Sequence, residues 1–158
     1  YCRYLRTMYL ENSLRVPGKL SMLGVPVDLG KIKQPAYLLA AREDHIVPWR
    51  TAYSSTRLLG GKLRFVLGAS GHVAGVINPA AKNRRSFWSG PPLPGALPEK
   101  AEDWLALAAE NPGSWWADWS AWLQQFGGGK IKAHKRLGSA AHKPIEPAPG
   151  RYVKQCIV

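Results

Sequence analysis

Two unbroken apolar runs, Ala36 to Ala41 and Leu63 to Leu67, have the length of buried strands. Between them Pro48 is placed for the first turn of a helix, and Gly60 with Gly61 supplies the stop, which predicts a crossover helix over 48–59. Strand, helix and strand at this spacing form a βαβ unit whose strands pair in parallel. The turn after the first strand reads Arg42, Glu43, Asp44, His45, and the turn after the second is GASGH, ending on His72. Asp44 and His72 therefore leave the same edge of the sheet, where loops converge in an open parallel sheet.

The flanks carry a longer period. Tyr1, Leu5, Met8 and Tyr9 fall on one face of a helix expected over 1–14, which Pro17 and Gly18 end. Residues 19–32 break into short apolar pieces around Gly24, Pro26 and Gly30, with Asp28 as a turn or cap residue. Val73 to Ile77 is expected to begin another helix. From 84 to 98 the composition turns to Ser, Gly and Pro, and SGPPLPGALP predicts a loop or linker. An acidic helix follows over 99–110, with Glu102 and Asp103 near its positive end, and Pro112 and Gly113 break it. Ser114 then caps a helix that places Trp115, Trp119, Trp122 and Phe126 at helical spacing, an arrangement suited to packing. The pattern divides the chain into an α/β portion over 1–90, a linker with Trp-rich helices over 91–126, and a basic tail over 127–158 that is expected to be flexible.

Charge sharpens this division. Residues 1–90 carry a net +10, residues 91–126 a net −4 and residues 127–158 a net +6, within a formal total of +12. Such a field attracts polyanions, among them nucleic acids, anionic surfaces and phosphate-bearing substrates. No apolar run reaches the ~20 residues of a membrane span, and no signal-peptide zones are seen. Because the chain opens on Tyr1, inside an apparent helix, it is expected to be a piece of a longer protein. Cys2 and Cys156 lie at opposite ends without metal-ligand spacing, and a cytoplasmic setting follows.

The chemistry lies in the two strand-end turns. A histidine acting as general base needs a partner that fixes its tautomer and stabilises the imidazolium, and a carboxylate on a neighbouring strand end does this. Strand, acidic turn, helix, strand, histidine turn is also the order in which an α/β hydrolase delivers the second and third members of a triad. Asp44 and His72 are the catalytic candidates, and His45 is an accessory candidate whose side chain points elsewhere in an extended turn. Glu43 is a weaker one, and Arg42 is expected to pair with a carboxylate. Gly68 to His72 resembles a nucleophile elbow, but the fifth position should be Gly, so Ser70 is read as a turn residue. Neither cysteine has a flanking elbow, and no nucleophile is assigned in this chain. His134 and His142 sit in the basic tail without a ligand cluster, so no metal site is expected.

The segments YLRTMYLENSLRVPGKL, GVPVDL, REDHIVPW, LGASGHVAGVINPAAKN, GSWWADWSAWL and IEPAPGRYVK resemble the C-terminal part of class I poly(3-hydroxyalkanoate) synthases across nearly the whole chain. The resemblance implies the C-terminal part of an α/β hydrolase fold, with a partial parallel sheet and crossover helices. It also implies a polymerase that takes (R)-3-hydroxyacyl-CoA, releases CoA as a product and needs no other cofactor. In such an enzyme a Cys nucleophile carries the polyester as a thioester. His72 would deprotonate that Cys, and Asp44 would orient His72 or activate the incoming 3-hydroxyl group. Homodimers at polyester granules in the cytoplasm are implied as well, with no nucleic acid partner. The upstream elbow is missing, so the fragment is expected to be inactive alone, and the ending QCIV departs from the family. Two other readings stand beside this one: an ester or thioester hydrolase fragment on the same fold, and a basic module binding granules or nucleic acid through the tail and the tryptophan face.

Overall fold

Both apolar runs become strands that lie side by side. A computed structural model of the chain describes residues 1–91 and 96–156. Residues before the first long strand contribute a short helix α1 (Cys2–Tyr4), which widens into a π turn over Leu5–Leu10, and a small antiparallel ribbon of β1 (Ser21–Met22) and β2 (Val25–Pro26). Asp28 caps the 3-10 turn Leu29–Lys31 by accepting from Gly30 N–H at 2.8 Å. The main sheet follows with β3 (Ala36–Ala41), β4 (Leu63–Gly68), β5 (Ser86–Ser89) and β6 (Ala109–Pro112), in that spatial order. Its helices are α2 (Trp49–Ser54), α3 (Ala101–Leu107) and α4 (Trp115–Gln124).

β3 and β4 pair in parallel over their whole length, from Ala36 opposite Leu63 to Ala41 opposite Gly68. The sheet is therefore α/β in character around α2, as the apolar runs predict, but β5 and β6 join it antiparallel, so it is mixed. Strand alternation sorts the two faces. Leu38, Ala40, Phe65 and Leu67 meet Trp49 and Tyr53 of α2 and Ala101 and Trp104 of α3. Tyr53, Phe65 and Trp104 are at most 2% exposed and contact one another edge-on or tilted, with ring centroids 4.8 to 5.8 Å apart. Burying side chains of this size stabilises the fold by roughly 2 kcal/mol each. On the opposite face Tyr37 and Arg64, which are register partners, meet α4.

Several expectations are corrected. The helix expected over 1–14 is α-helical only from Cys2 to Tyr4. Its widened second part matches the edge-on contact of Tyr4 with Tyr9, five residues apart, and it ends at Asn12 with φ +46°. The predicted apolar face finds little to cover it, since Tyr1 and Tyr9 are exposed. The crossover helix stops its α-helical part at Ser54 and finishes as a 3-10 turn, Ser55–Arg57. Val73 to Ile77 makes one helical turn but no helix, because Asn78 and Pro79 follow at once. Within the loop predicted over 84–98, Ser86–Ser89 is a strand, its backbone drawn into pairing by the free edge of β4; residues 92–95 of that prediction lie outside the described residues. The acidic helix ends at Leu107, and Ala109–Pro112 pairs with β5 instead of extending it.

Residues Gly127–Val158 form a separate unit. Among its described residues the regular structure is a 3-10 turn, Tyr152–Lys154, with an exposed Arg151–Glu146 ion pair at 3.2 Å nearby.

Candidate active site

The parallel ladder does not stop where the strands do. Arg42 N–H donates to Gly68 C=O at 2.8 Å and Glu43 N–H to Ser70 C=O at 3.0 Å, so the two turns stay tied for two more rungs. Asp44 and His72 then emerge from adjacent, tethered backbones. Asp44 sits three residues past β3 and His72 four past β4.

Each turn is also fixed from within. Asp44 closes its own turn by accepting from Ile46 N–H at 2.8 Å and Val47 N–H at 3.0 Å through Oδ1, an arrangement common for aspartate. The Val47 N–H, followed by that of Ile46, holds the Asp44 carboxyl below its ordinary value against a partial desolvation, and the nearby His72 and His45 add to this. Asp44 is thus an anion at neutral pH. The His72 turn is closed by Gly75 N–H to Gly71 C=O at 2.7 Å and Ile77 N–H to Val73 C=O at 2.8 Å.

His72 Nδ1 faces Asp44 Oδ1 at 3.7 Å. That is an ion-pair distance, longer than a hydrogen bond. Nδ1 is buried and has no hydrogen-bond partner, whereas the ring as a whole is 37% exposed. With Nδ1 turned to the carboxylate, Nε2 is the nitrogen left to exchange a proton with a substrate or nucleophile. His45 packs its ring edge-on to His72, with centroids 5.1 Å apart. Its residue is exposed, so it borders the pair without standing between its members.

The other sequence candidates fall elsewhere. Ser70 adopts φ +75° and makes no side-chain hydrogen bond among the described residues; its carbonyl receives Glu43. Arg42 lies over the Trp88 ring at 4.5 Å, a cation–π contact in place of the expected carboxylate partner. Cys2 and Cys156 are free and exposed. Among the described residues no three His, Cys, Asp or Glu side chains cluster at metal-binding distance, and no helix is long and apolar enough to cross a membrane. A cavity of about 620 Å³ is bordered by Asn12, Arg15, Arg50 and Arg57, away from the Asp44–His72 pair in its lining. Its arginines are partly engaged: Arg50 pairs with Glu102, and Arg57 donates to the carbonyls of Leu97 and Pro98.

Helix α4 bears on the site in a way its apolar pattern does not announce. Trp115 Nε1–H donates to Gly75 C=O at 3.1 Å and Trp116 Nε1–H to Val76 C=O at 3.0 Å, both carbonyls of the His72 turn. The sequence placed Trp115 on a packing face and passed over Trp116. The signal available was the doubling of tryptophan immediately after a Gly-Ser cap, where side-chain N–H groups, not ring area, are brought to one place.

No family model matches the chain. It is 60% identical over 154 residues to the poly(3-hydroxyalkanoate) polymerase subunit PhaC of Cupriavidus necator, a match covering 98% of this chain and 26% of that protein. It is 43% identical over 152 residues to the PhaC subunit of Rhizobium etli, covering 96% and 23%. A third relative, poly(3-hydroxyalkanoate) polymerase 1 of Ectopseudomonas oleovorans, is 38% identical over 148 residues, covering 94% and 26%. The chain spans about a quarter of the length of these curated relatives, and over that segment it is similar to poly(3-hydroxyalkanoate) polymerases along nearly its whole length.

Proposed function

We propose that this chain is the distal catalytic portion of a polyhydroxyalkanoate synthase, an acyltransferase on an α/β hydrolase fold. The observation that carries the reading is the Asp44–His72 pair on tethered ends of adjacent parallel strands, in a sequence 60% identical to a named polymerase. The nucleophile is a Cys supplied by a part of the enzyme outside this chain. His72 Nε2 takes the thiol proton, the thiolate attacks the carbonyl of (R)-3-hydroxyacyl-CoA, and CoA leaves as its thiol after receiving a proton. The acyl group is then a protein thioester. The 3-hydroxyl of a further acyl-CoA gives up its proton and attacks it, and an ester forms as the Cys C–S bond breaks. The freed thiolate takes the lengthened chain back from CoA, which leaves as its thiol. Asp44 either steadies the imidazolium through Nδ1 or takes the hydroxyl proton. Its ionised state suits both roles.

On this reading the working enzyme is a homodimer at the surface of cytoplasmic polyester granules, CoA is a product and no cofactor is needed. The isolated chain is inactive for want of the Cys. Residues 1–90 belong to the hydrolase-type domain, 91–126 buttress it, and the +6 tail over 127–158 serves as an anionic-surface contact.

The test is CoA release from (R)-3-hydroxybutyryl-CoA by a full-length polymerase that contains this segment. His72→Ala and Asp44→Asn are expected to lose about a hundredfold or more in turnover, the range for removing a general base or its partner. Full rate in either variant overturns the assignment of that residue. Polymer as product supports the synthase; free hydroxy acid supports a hydrolase on the same fold.

A further inference from the structure

The His72 turn has little structure of its own. It spans residues 69 to 78, makes a single helical turn and relies on neighbours for its outward carbonyls. The Ser70 carbonyl is held by Glu43 N–H, and for Gly75, Val76 and Asn78 the neighbours come from one place, the start of α4. Ser114, only 3% exposed, caps α4 by accepting from Trp116 N–H and itself donates through Oγ to Asn78 C=O. Asn78, also 3% exposed, donates through Nδ2 to Arg84 C=O at 2.8 Å, and Asn83 Oδ1 accepts from Ser114 N–H at 3.2 Å. Above this knot, Trp115 and Trp116 place their indole N–H groups on the consecutive carbonyls of Gly75 and Val76. The turn is therefore held along its whole distal half by α4.

Helix α4 is in turn fixed to the sheet. Asp118 accepts from Tyr37 Oη–H at 2.8 Å and from Arg64 Nε–H at 3.0 Å, with a second bond from Arg64 Nη2. Trp115 stacks on Tyr37 at 6.2 Å and Trp122 meets it edge-on at 5.5 Å. The carboxylate side of the site needs none of this, because Asp44 is held by its own turn. The two turns share the Glu43–Ser70 rung, and beyond it the spacing between His72 Nδ1 and Asp44 Oδ1 depends on how each turn is held, the His72 turn by α4 and the Asp44 turn by itself.

We propose that Trp115 and Trp116 are positioning residues that, through their indole N–H groups, set where His72 stands relative to Asp44. This rests on the reading of His72 as the base. Small misplacements of a reacting group are costly to rate. Loss of the Asp44 contact removes the carboxylate that faces Nδ1, so the base is less well oriented for its proton transfer.

The experiment uses a full-length polymerase containing this segment, with Trp115→Phe, Trp116→Phe and the double variant, each keeping an aromatic ring while losing the N–H. The expected result is a fall in kcat of about tenfold for the double variant, with KM little changed. In an Asp44→Asn background the same changes are expected to add little. Trp119→Phe, at a residue 40% exposed whose indole makes no hydrogen bond among the described residues, is the comparison and should match the parent. The proposal is overturned if the double variant keeps the parental kcat, if its kcat falls only as its thermal midpoint falls, if KM rises in place of a fall in kcat, or if its effect is undiminished beside Asp44→Asn. Retention of activity by His72→Ala overturns the underlying assignment instead, a separate outcome.

Discussion

The amide of Glu43 donates to the carbonyl of Ser70 at 3.0 Å, a rung beyond the ends of both strands. It fixes Ser70 by its backbone and leaves its side chain idle. Ser70 nevertheless holds φ +75°, a region that costs an L-residue with a Cβ and suits glycine. Ser70→Gly is expected to stabilise the protein by about 0.5 kcal/mol, the relief of strain being partly offset by the freer unfolded chain. In a full-length polymerase containing this segment, CoA release should be kept. Thermal unfolding and CoA release check the two parts, and a large loss of activity would reinstate Ser70 as a chemical group.

Asp44 gives a pH dependence of definite sign. Its folded carboxyl titrates below the ordinary value of 3.8, first through the Val47 N–H. A group depressed in the folded state contributes stability that is present above the unfolded pKa and is lost as pH falls through the folded one. The contribution should therefore be intact at neutral pH and disappear below about pH 4. Asp44→Asn keeps an oxygen for the Val47 and Ile46 amides but cannot titrate. Its unfolding should show a shallower acid dependence than the parent below that pH, while the turnover of a full-length polymerase carrying it is lowered at every pH.

Asp118 predicts a stability effect without a direct chemical one. Asp118→Ala leaves the Arg64 guanidinium and the Tyr37 hydroxyl without their shared acceptor on a half-buried face. The expected cost is about 2 to 3 kcal/mol, mostly the penalty of the stranded charge. Asp118→Asn, which can still accept from Tyr37, should cost less. Denaturant unfolding distinguishes them, and equal effects from the two would show that the charge is unimportant.

The sequence made β3, α2 and β4 readable because each is marked twice, by an apolar run and by punctuation at Pro48, Gly60 and Gly61. Asp44 and His72 were readable for the same reason, since strand ends set which turns face one another. β5 and β6 were not. Ser86–Ser89 has two aromatic residues between serines, and Ala109–Pro112 has almost no strand character and is largely exposed. Both are strands because a neighbouring edge offers hydrogen-bond partners, which no local pattern records. Tyr1, Leu5 and Tyr9 misled in the opposite sense, showing a helical face for which the described residues provide little cover. Trp116 was missed because its contribution is a donor, and hydrophobic periodicity counts rings.

Gly75 supplies the sharpest test of how tightly the histidine turn is packed. It is buried beneath the turn, and a Cβ built there would lie 2.7 Å from Ala69 C=O, 2.8 Å from Gly71 C=O and 3.2 Å from the Ala41 side chain. Two of these neighbours are backbone oxygens, one belonging to the residue before His72, so relief requires moving the turn itself. Gly75→Ala is expected to destabilise by about 1 to 3 kcal/mol, as overpacking does, and to lower kcat by about tenfold or more through displacement of His72. Gly75 also presents the carbonyl that Trp115 holds. Adding Trp115→Phe to Gly75→Ala should therefore cost less than Trp115→Phe costs alone, because the bond is already disturbed. Strict additivity in kcat would mean that the backbone shift relaxes away from α4, and that the clash and the indole bond act on His72 independently.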